Sequence, residues 1–151
     1  TPKIYFCDTG LVSYLLGIET PEQMIRDPLL GNIFENFVVI EALKTRLNLG
    51  LEPNLYFFRN SNGLEIDLIL QEQNKLKLFE IKSGKSLNDE FCRNMKNFSA
   101  KYNEEIASDS TKGTVIYSGE TYESYKDFGF YNFSNIPQLF ESKTATFRLN
   151  F

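Results

Sequence analysis

The sequence predicts a single α/β domain. Its mixed sheet consists of a three-stranded antiparallel meander plus one strand after a crossover helix, and helices flank it. Three observations predict this. Between Leu29 and Leu47 the apolar residues Leu30, Ile33, Phe34, Phe37, Val38 and Leu47 recur at intervals of three and four, the period of an amphipathic helix. Leu55 to Arg59, Leu64 to Gln71 and Lys75 to Lys82 are β-type segments joined by Asn60 to Gly63 and Glu72 to Asn74, which is room for hairpins only. A helical stretch from about Asn88 to Tyr102 then separates them from the β-type run Thr114 to Tyr117, and a strand that returns after a helix joins its sheet parallel.

The remaining elements follow from local chemistry. Lys3 to Cys7 reads as a short strand, and Asp8 is placed to cap a helix over Leu11 to Leu16. Thr20 to Pro28 reads as a loop, with Pro21 suited to a helix start and Pro28 blocking continuation. Phe128 to Asn132 is a weaker strand, and Pro137 to Phe140 a short helix. The expected organisation is therefore one domain over 1–151, with an N-terminal strand and helix in 1–28 packed on a core of 29–118, and 119–151 as a C-terminal extension. The abrupt start at Thr1-Pro2 suggests a fragment of a longer chain.

Composition narrows the function. The 151 residues are 42% hydrophobic and 15% aromatic, enough for a packed core. The aromatics Tyr5, Phe6, Tyr56, Phe57, Phe58 and Phe79 are expected in that core. No apolar run has the roughly 18 to 20 residues of a membrane helix and no signal peptide is legible, so the expected location is the cytoplasm, without membrane contact. Cys7 and Cys92 stand far apart with no CxxC partner and read as free buried thiols. The chain has no histidine, which excludes Ser-His-Asp, Cys-His and His-ligated zinc chemistry. Catalysis falls to carboxylates and lysines. A net charge of -4 argues against a strong general nucleic-acid binder but permits a local basic strip.

Side chains alternate along a strand, so Glu80 and Lys82 share one face of Lys75 to Lys82 while Phe79 and Ile81 take the other. In the preceding strand Glu65, Asp67 and Ile69 face away from Leu64, Ile66, Leu68 and Leu70, and a tight hairpin sets Asp67 beside Glu80. Two facing carboxylates repel unless a cation lies between them, and hard oxygens suit Mg²⁺ or Mn²⁺. Lys82 would hold a water or help deprotonate it while the ion polarises a phosphoryl oxygen. The competing reading is a surface ion pair worth at most about 1 kcal/mol.

Ile66-Asp67 followed by Glu80-Ile81-Lys82 resembles the D...ExK signature of PD-(D/E)xK nucleases. More narrowly, KIYFCDTGL, LLGNIFENFVVIEAL, FFRNSNGLEIDLIL and FEIKSGK resemble the C-terminal domain of many prokaryotic AAA-family ATPases. Ile66 stands where the motif is written with proline, a position that contributes no ligand. The resemblance implies a restriction-endonuclease-like core in which Asp67, Glu80 and the Ile81 carbonyl hold Mg or Mn, with Glu35 adding a ligand from the first long helix. Glu41 is the rival helix acid. It also implies DNA as a partner and ATP only through an N-terminal ATPase module. The alternative is a non-catalytic nucleic-acid or protein interaction module of such an ATPase.

Five cations could contact a nucleic acid. Arg59 could grip a phosphate or pair with Glu65, while Arg93 and Lys96, with Lys101, lie on one broad helix side that could equally be solvated. Lys85 follows Gly84, but the segment lacks the upstream glycine of a phosphate loop, so nucleotide binding by a loop of that kind is excluded here.

Overall fold

The computed structural model describes residues 2–102 and 111–142. Its centre is a six-stranded mixed sheet in the order β1-β2-β3-β4-β6-β5. The meander comprises β1 (Leu55–Arg59), β2 (Glu65–Glu72) and β3 (Lys75–Lys82), all antiparallel. Its tight β2–β3 turn places Gln73 at a φ of 55°, a left-handed conformation usual at such turns. After the crossover, β4 (Thr114–Tyr117) joins β3 in parallel, and β6 (Phe128–Asn132) joins β4 in parallel.

The helices α3 (Leu30–Asn48) and α4 (Arg93–Lys101) cover opposite faces of the sheet. Val38, Val39 and Ala42 of α3 bury against Leu68, Leu70, Phe79, Ile81 and Ile116, joined by Ile136 and Phe140 of α5 (Ile136–Phe140). On the other face Met95 and Phe98 pack with Ile66, Ile69, Leu78, Val115, Phe128 and Phe130. A 3₁₀ turn at Asp89–Cys92 leads into α4 where one continuous helix was expected, with the Asn88 side chain accepting from the Glu90 N–H.

Four expectations change. Residues 3–7 form no strand: the side-chain amide of Asn36 accepts the Phe6 N–H at 2.7 Å and donates to the Phe6 carbonyl at 2.9 Å. A side chain on α3 thus satisfies the backbone groups that a neighbouring strand would have taken. The expected loop over 20–28 contains the helix α2 (Pro21–Arg26), because Thr20 and Gln23 form a reciprocal capping box and Pro21 fits the first turn. The helix α1 (Thr9–Leu15) is capped by Asp8 as expected.

Third, the stretch expected as a C-terminal extension completes the sheet. It supplies β6, the unforeseen edge strand β5 (Tyr122–Tyr125) and α5, while 143–151 lies outside the described residues. Last, several aromatics expected in the core are exposed. Phe79 is buried, but Phe6, Tyr56 and Phe57 are 52%, 52% and 37% exposed, since β1 is an edge strand and 3–7 lies outside the sheet. Cys92 is buried as expected, whereas Cys7 is exposed. Among the described residues no helix is long and apolar enough to cross a membrane.

Candidate functional site

Strand phase alone would put Ile66 on the same side as Leu68 and Leu70. The structure breaks that phase. Tyr56 pairs with Ile69 and Phe58 with Ile66, so two steps along β1 match three along β2. The extra residue is a bulge at Asp67 and Leu68, after which Ile66 packs with Ile69 on the α4 side. Backbone pairing of β2 with β3 begins only at Leu68, and the Asp67 carboxylate accepts the Ile81 N–H at 2.9 Å. The bulge therefore aims Asp67 at β3.

Lys82 Nζ donates to Glu80 Oε1 at 2.7 Å and lies 3.6 Å from Asp67 Oδ2. One ammonium thus serves both carboxylates, and Asp67, Glu80, Ile81 and Lys82 meet at one point. Glu80 is only 5% exposed, and its second oxygen is buried with no hydrogen-bond partner. Burial raises the Glu80 pKa to about 7, the Asp67 charge adds to the rise, and the Lys82 hydrogen bond only partly offsets it. Asp67 is also raised by burial, against the pull of Lys82 and the Ile81 N–H. Burial works against the Lys82 charge, yet the hydrogen bond to Glu80 and the Asp67 charge outweigh it and raise its pKa. Lys82 is therefore a cation at neutral pH, able to position a water or an oxyanion but not to take a proton.

Such an arrangement costs stability. A carboxyl whose folded pKa of about 7 exceeds its ordinary 4.5 supports the fold fully below the lower value and loses that support as pH rises through the higher one. Glu80→Gln is expected to raise the melting temperature by several degrees at about pH 8 and by much less at about pH 5. Thermal melts at the two pH values check this.

Glu35 is the helix acid that reaches this region, but other groups hold it. Its Oε1 accepts from Lys3 Nζ at 2.9 Å and from the Tyr5 hydroxyl at 2.8 Å. Lys3 also pairs with Glu65 at 2.8 Å, and Glu65 with Arg59 at 3.2 Å. Burial opposes the Lys3 charge, and the hydrogen bonds that Lys3 donates to Glu65 and Glu35 overcome it and raise the pKa. Glu41 instead makes an exposed pair with Lys44 at 2.8 Å. Lys3, Tyr5 and Glu65 are partners that strand phase and motif spacing could not reveal, because thirty-odd residues separate the N-terminal segment from α3. The only sequence signal was a lysine opening an apolar run.

The expected nucleic-acid contacts divide. Arg59 takes the structural role with Glu65, Arg93 pairs with Glu90 at 3.4 Å on an exposed helix turn, and Lys96 lies over the Phe128 ring at 5.6 Å. Lys85 lines a separate cavity beyond the end of β3.

For a divalent ion, two adjacent carboxylates and one unpartnered buried oxygen match what Mg²⁺ takes from a protein, the rest coming from water and substrate phosphate. They do not make a closed cage. Among the described residues no three His, Cys, Asp or Glu side chains gather closely enough to form one.

A family model described as Domain of unknown function (DUF4143) matches residues 30–139, from the start of α3 to α5. The chain belongs to the DUF4143 family. The DUF4143 match spans the sheet and both covering helices, so the bulge, the Glu80-Ile81-Lys82 strand and Glu35 all fall inside it, while Lys3 and Tyr5 precede it. Two relatives are the uncharacterized proteins Rv2008c of Mycobacterium tuberculosis and Mb2031c of Mycobacterium bovis. Each is 41% identical over 83 residues, which is 54% of this chain and 18% of the relative. The matched stretch is thus under a fifth of either mycobacterial protein. No solved structure matches the chain.

Proposed function

We propose that this DUF4143 domain is a phosphodiesterase of the PD-(D/E)xK type that cleaves DNA with the help of Mg²⁺ or Mn²⁺. The observation that carries the reading is the buried Glu80 carboxylate, which shares Lys82 with Asp67 and keeps one oxygen without a partner. A buried and a half-buried carboxylate on one ammonium are a costly arrangement for stability alone, and costly titratable clusters mark functional sites.

Asp67 and Glu80 would hold the ion, with the Ile81 carbonyl and Glu35 as the further ligands that the motif suggests. Lys3 and Tyr5 both hold Oε1 of Glu35, which leaves its Oε2 to approach an ion. When bound, the ion supplies Lewis-acid polarisation of the scissile phosphate and a more acidic water. Lys82, already protonated, orients the attacking water and stabilises negative charge as it develops on the phosphoryl oxygens. Its amine does not act as the base.

Titration calorimetry with MnCl₂ and a labelled-DNA cleavage assay test this together. The parent is expected to take up Mn²⁺ and cut, and Asp67→Asn to lose both. Equal cutting by parent and variant would assign the activity to a contaminant.

One observation favours a second reading, a non-catalytic module of a longer ATPase. Lys82 already neutralises the carboxylates, so the cluster can persist as a buried ion pair. Under that reading the parent takes up no Mn²⁺ and cuts nothing.

A further inference from the structure

The parallel strands β3, β4 and β6 end side by side: Lys82 is in register with Tyr117, and Tyr117 with Asn132. Residues in register point to the same face, so these three side chains form one row across the sheet. Lys82 belongs to the carboxylate cluster. Tyr117 and Asn132 floor a cavity of about 640 Å³ whose walls include Lys85, Ser118, Thr121 and Tyr122. The crevice beyond the carboxyl ends of parallel strands is where open α/β sheets take ligands.

The walls of this cavity are fixed by their own bonds. The Ser118 N–H donates to the Gly84 carbonyl at 3.1 Å, Asn132 Nδ2 to the Gly119 carbonyl at 2.8 Å, and the Tyr117 hydroxyl to the Glu120 carbonyl. Gly119 packs so closely that an added Cβ would strike the Lys85 carbonyl oxygen and the Tyr117 ring. This is a shape built before any ligand arrives, which lowers the cost of binding one.

Its lining residues suit one nucleotide. Lys85 is exposed and, among the described residues, makes no side-chain hydrogen bond or ion pair, unlike Arg59 and Arg93. The Tyr122 side chain is 44% exposed at the rim, where it can take a base against its face. The Glu120 carboxylate, within reach of the Tyr122 hydroxyl at 3.4 Å, repels a second phosphate and accepts from the amino group of a base.

We propose that this cavity is a subsite for one unpaired nucleotide of a single-stranded nucleic acid, with its phosphate on Lys85 and its base on Tyr122. The strand then runs along the row of strand ends to Lys82. The inference rests on the phosphodiesterase reading and narrows its substrate to a single strand or a frayed end. A duplex keeps its bases stacked and cannot offer one to this ring. The net charge of -4 is compatible, since one cation in a shaped cavity needs no basic surface.

The test is fluorescence anisotropy of a short labelled single-stranded DNA in EDTA, where nothing can be cut, at low salt. Parent, Lys85→Ala, Tyr122→Ala and Asp67→Ala are compared, with unlabelled RNA or duplex as competitor. Lys85→Ala and Tyr122→Ala are each expected to weaken binding about 5- to 10-fold, and duplex to compete at least about tenfold less well than single strand. Thermal melts should match the parent, because both side chains are exposed. RNA competing as well as DNA supports a subsite that reads phosphate and base without the sugar. Unchanged affinity in both variants, or duplex binding as tightly as single strand, overturns the subsite. Failure of the hydrolysis reading is separable: the parent then takes up no Mn²⁺ and cuts nothing, whereas Lys85 and Tyr122 still govern binding.

Discussion

Lys82→Ala is expected to lower DNA cleavage in Mn²⁺ by about 10² to 10⁴-fold while leaving Mn²⁺ uptake in place. The expectation follows from where the ammonium sits. It is 2.7 Å from Glu80 and 3.6 Å from Asp67, so it stands beside the oxygens proposed to hold the ion and would not itself be a ligand. A fixed donor that meets charge only as the phosphoryl group reacts contributes to the transition state and not to binding, and loss of one such donor typically costs about 10² to 10³-fold. Loss of water positioning adds to that. The variant should also unfold more readily at about pH 8 than at about pH 5, because the buried Glu80 and the half-buried Asp67 lose their shared counter-charge. Cleavage kinetics with calorimetry read the two effects separately. Parent-like cutting by the variant would remove Lys82 from the chemistry.

Phe140→Ala is expected to destabilise the fold by about 3 to 5 kcal/mol, the usual range for a fully buried aromatic. The Phe140 ring is 0% exposed and stacks on Phe79 of β3 at a centroid distance of 4.6 Å. Its carbonyl also accepts from Arg46 at 3.2 Å, and Arg46 is itself only 4% exposed and bound to the Glu52 carbonyl. The C-terminal helix is thus bolted to the same strand that carries Glu80. A melting-temperature drop of about ten degrees or more in a calorimetric scan checks this. A drop near zero would mean that α5 is dispensable.

The parts of the fold that periodicity could reach were legible. The helix α3, the meander and β4 each repeat a pattern over enough residues to stand out, and their observed ends fall within a residue or two of those expected, whereas the crossover helix α4 begins at Arg93, behind a 3₁₀ turn, instead of near Asn88. What was missed is governed by single side chains. One amide on Asn36 replaces a strand partner for 3–7, and one capping box turns a presumed loop into α2. The edge strand β5 has a strongly exposed pattern and so leaves no alternation to read. At the site, Glu80 and Lys82 were legible because regular alternation holds along β3. The meeting of Asp67 with Glu80 was legible from the hairpin, but the bulge beside Asp67 was not, since a bulge carries no compositional mark. The grip of Lys3 and Tyr5 on Glu35 was out of reach altogether.

The doubled step in β2 makes the aim of Asp67 a matter of counting. Substitutions at Leu68 alter packing only, but loss or gain of one residue between Ile66 and Ile69 would reverse which way the aspartate points. The carboxylate would then turn under α3, among Val38 and Phe79. Length between Ile66 and Ile69 therefore matters to the site as much as the identity of Asp67 does.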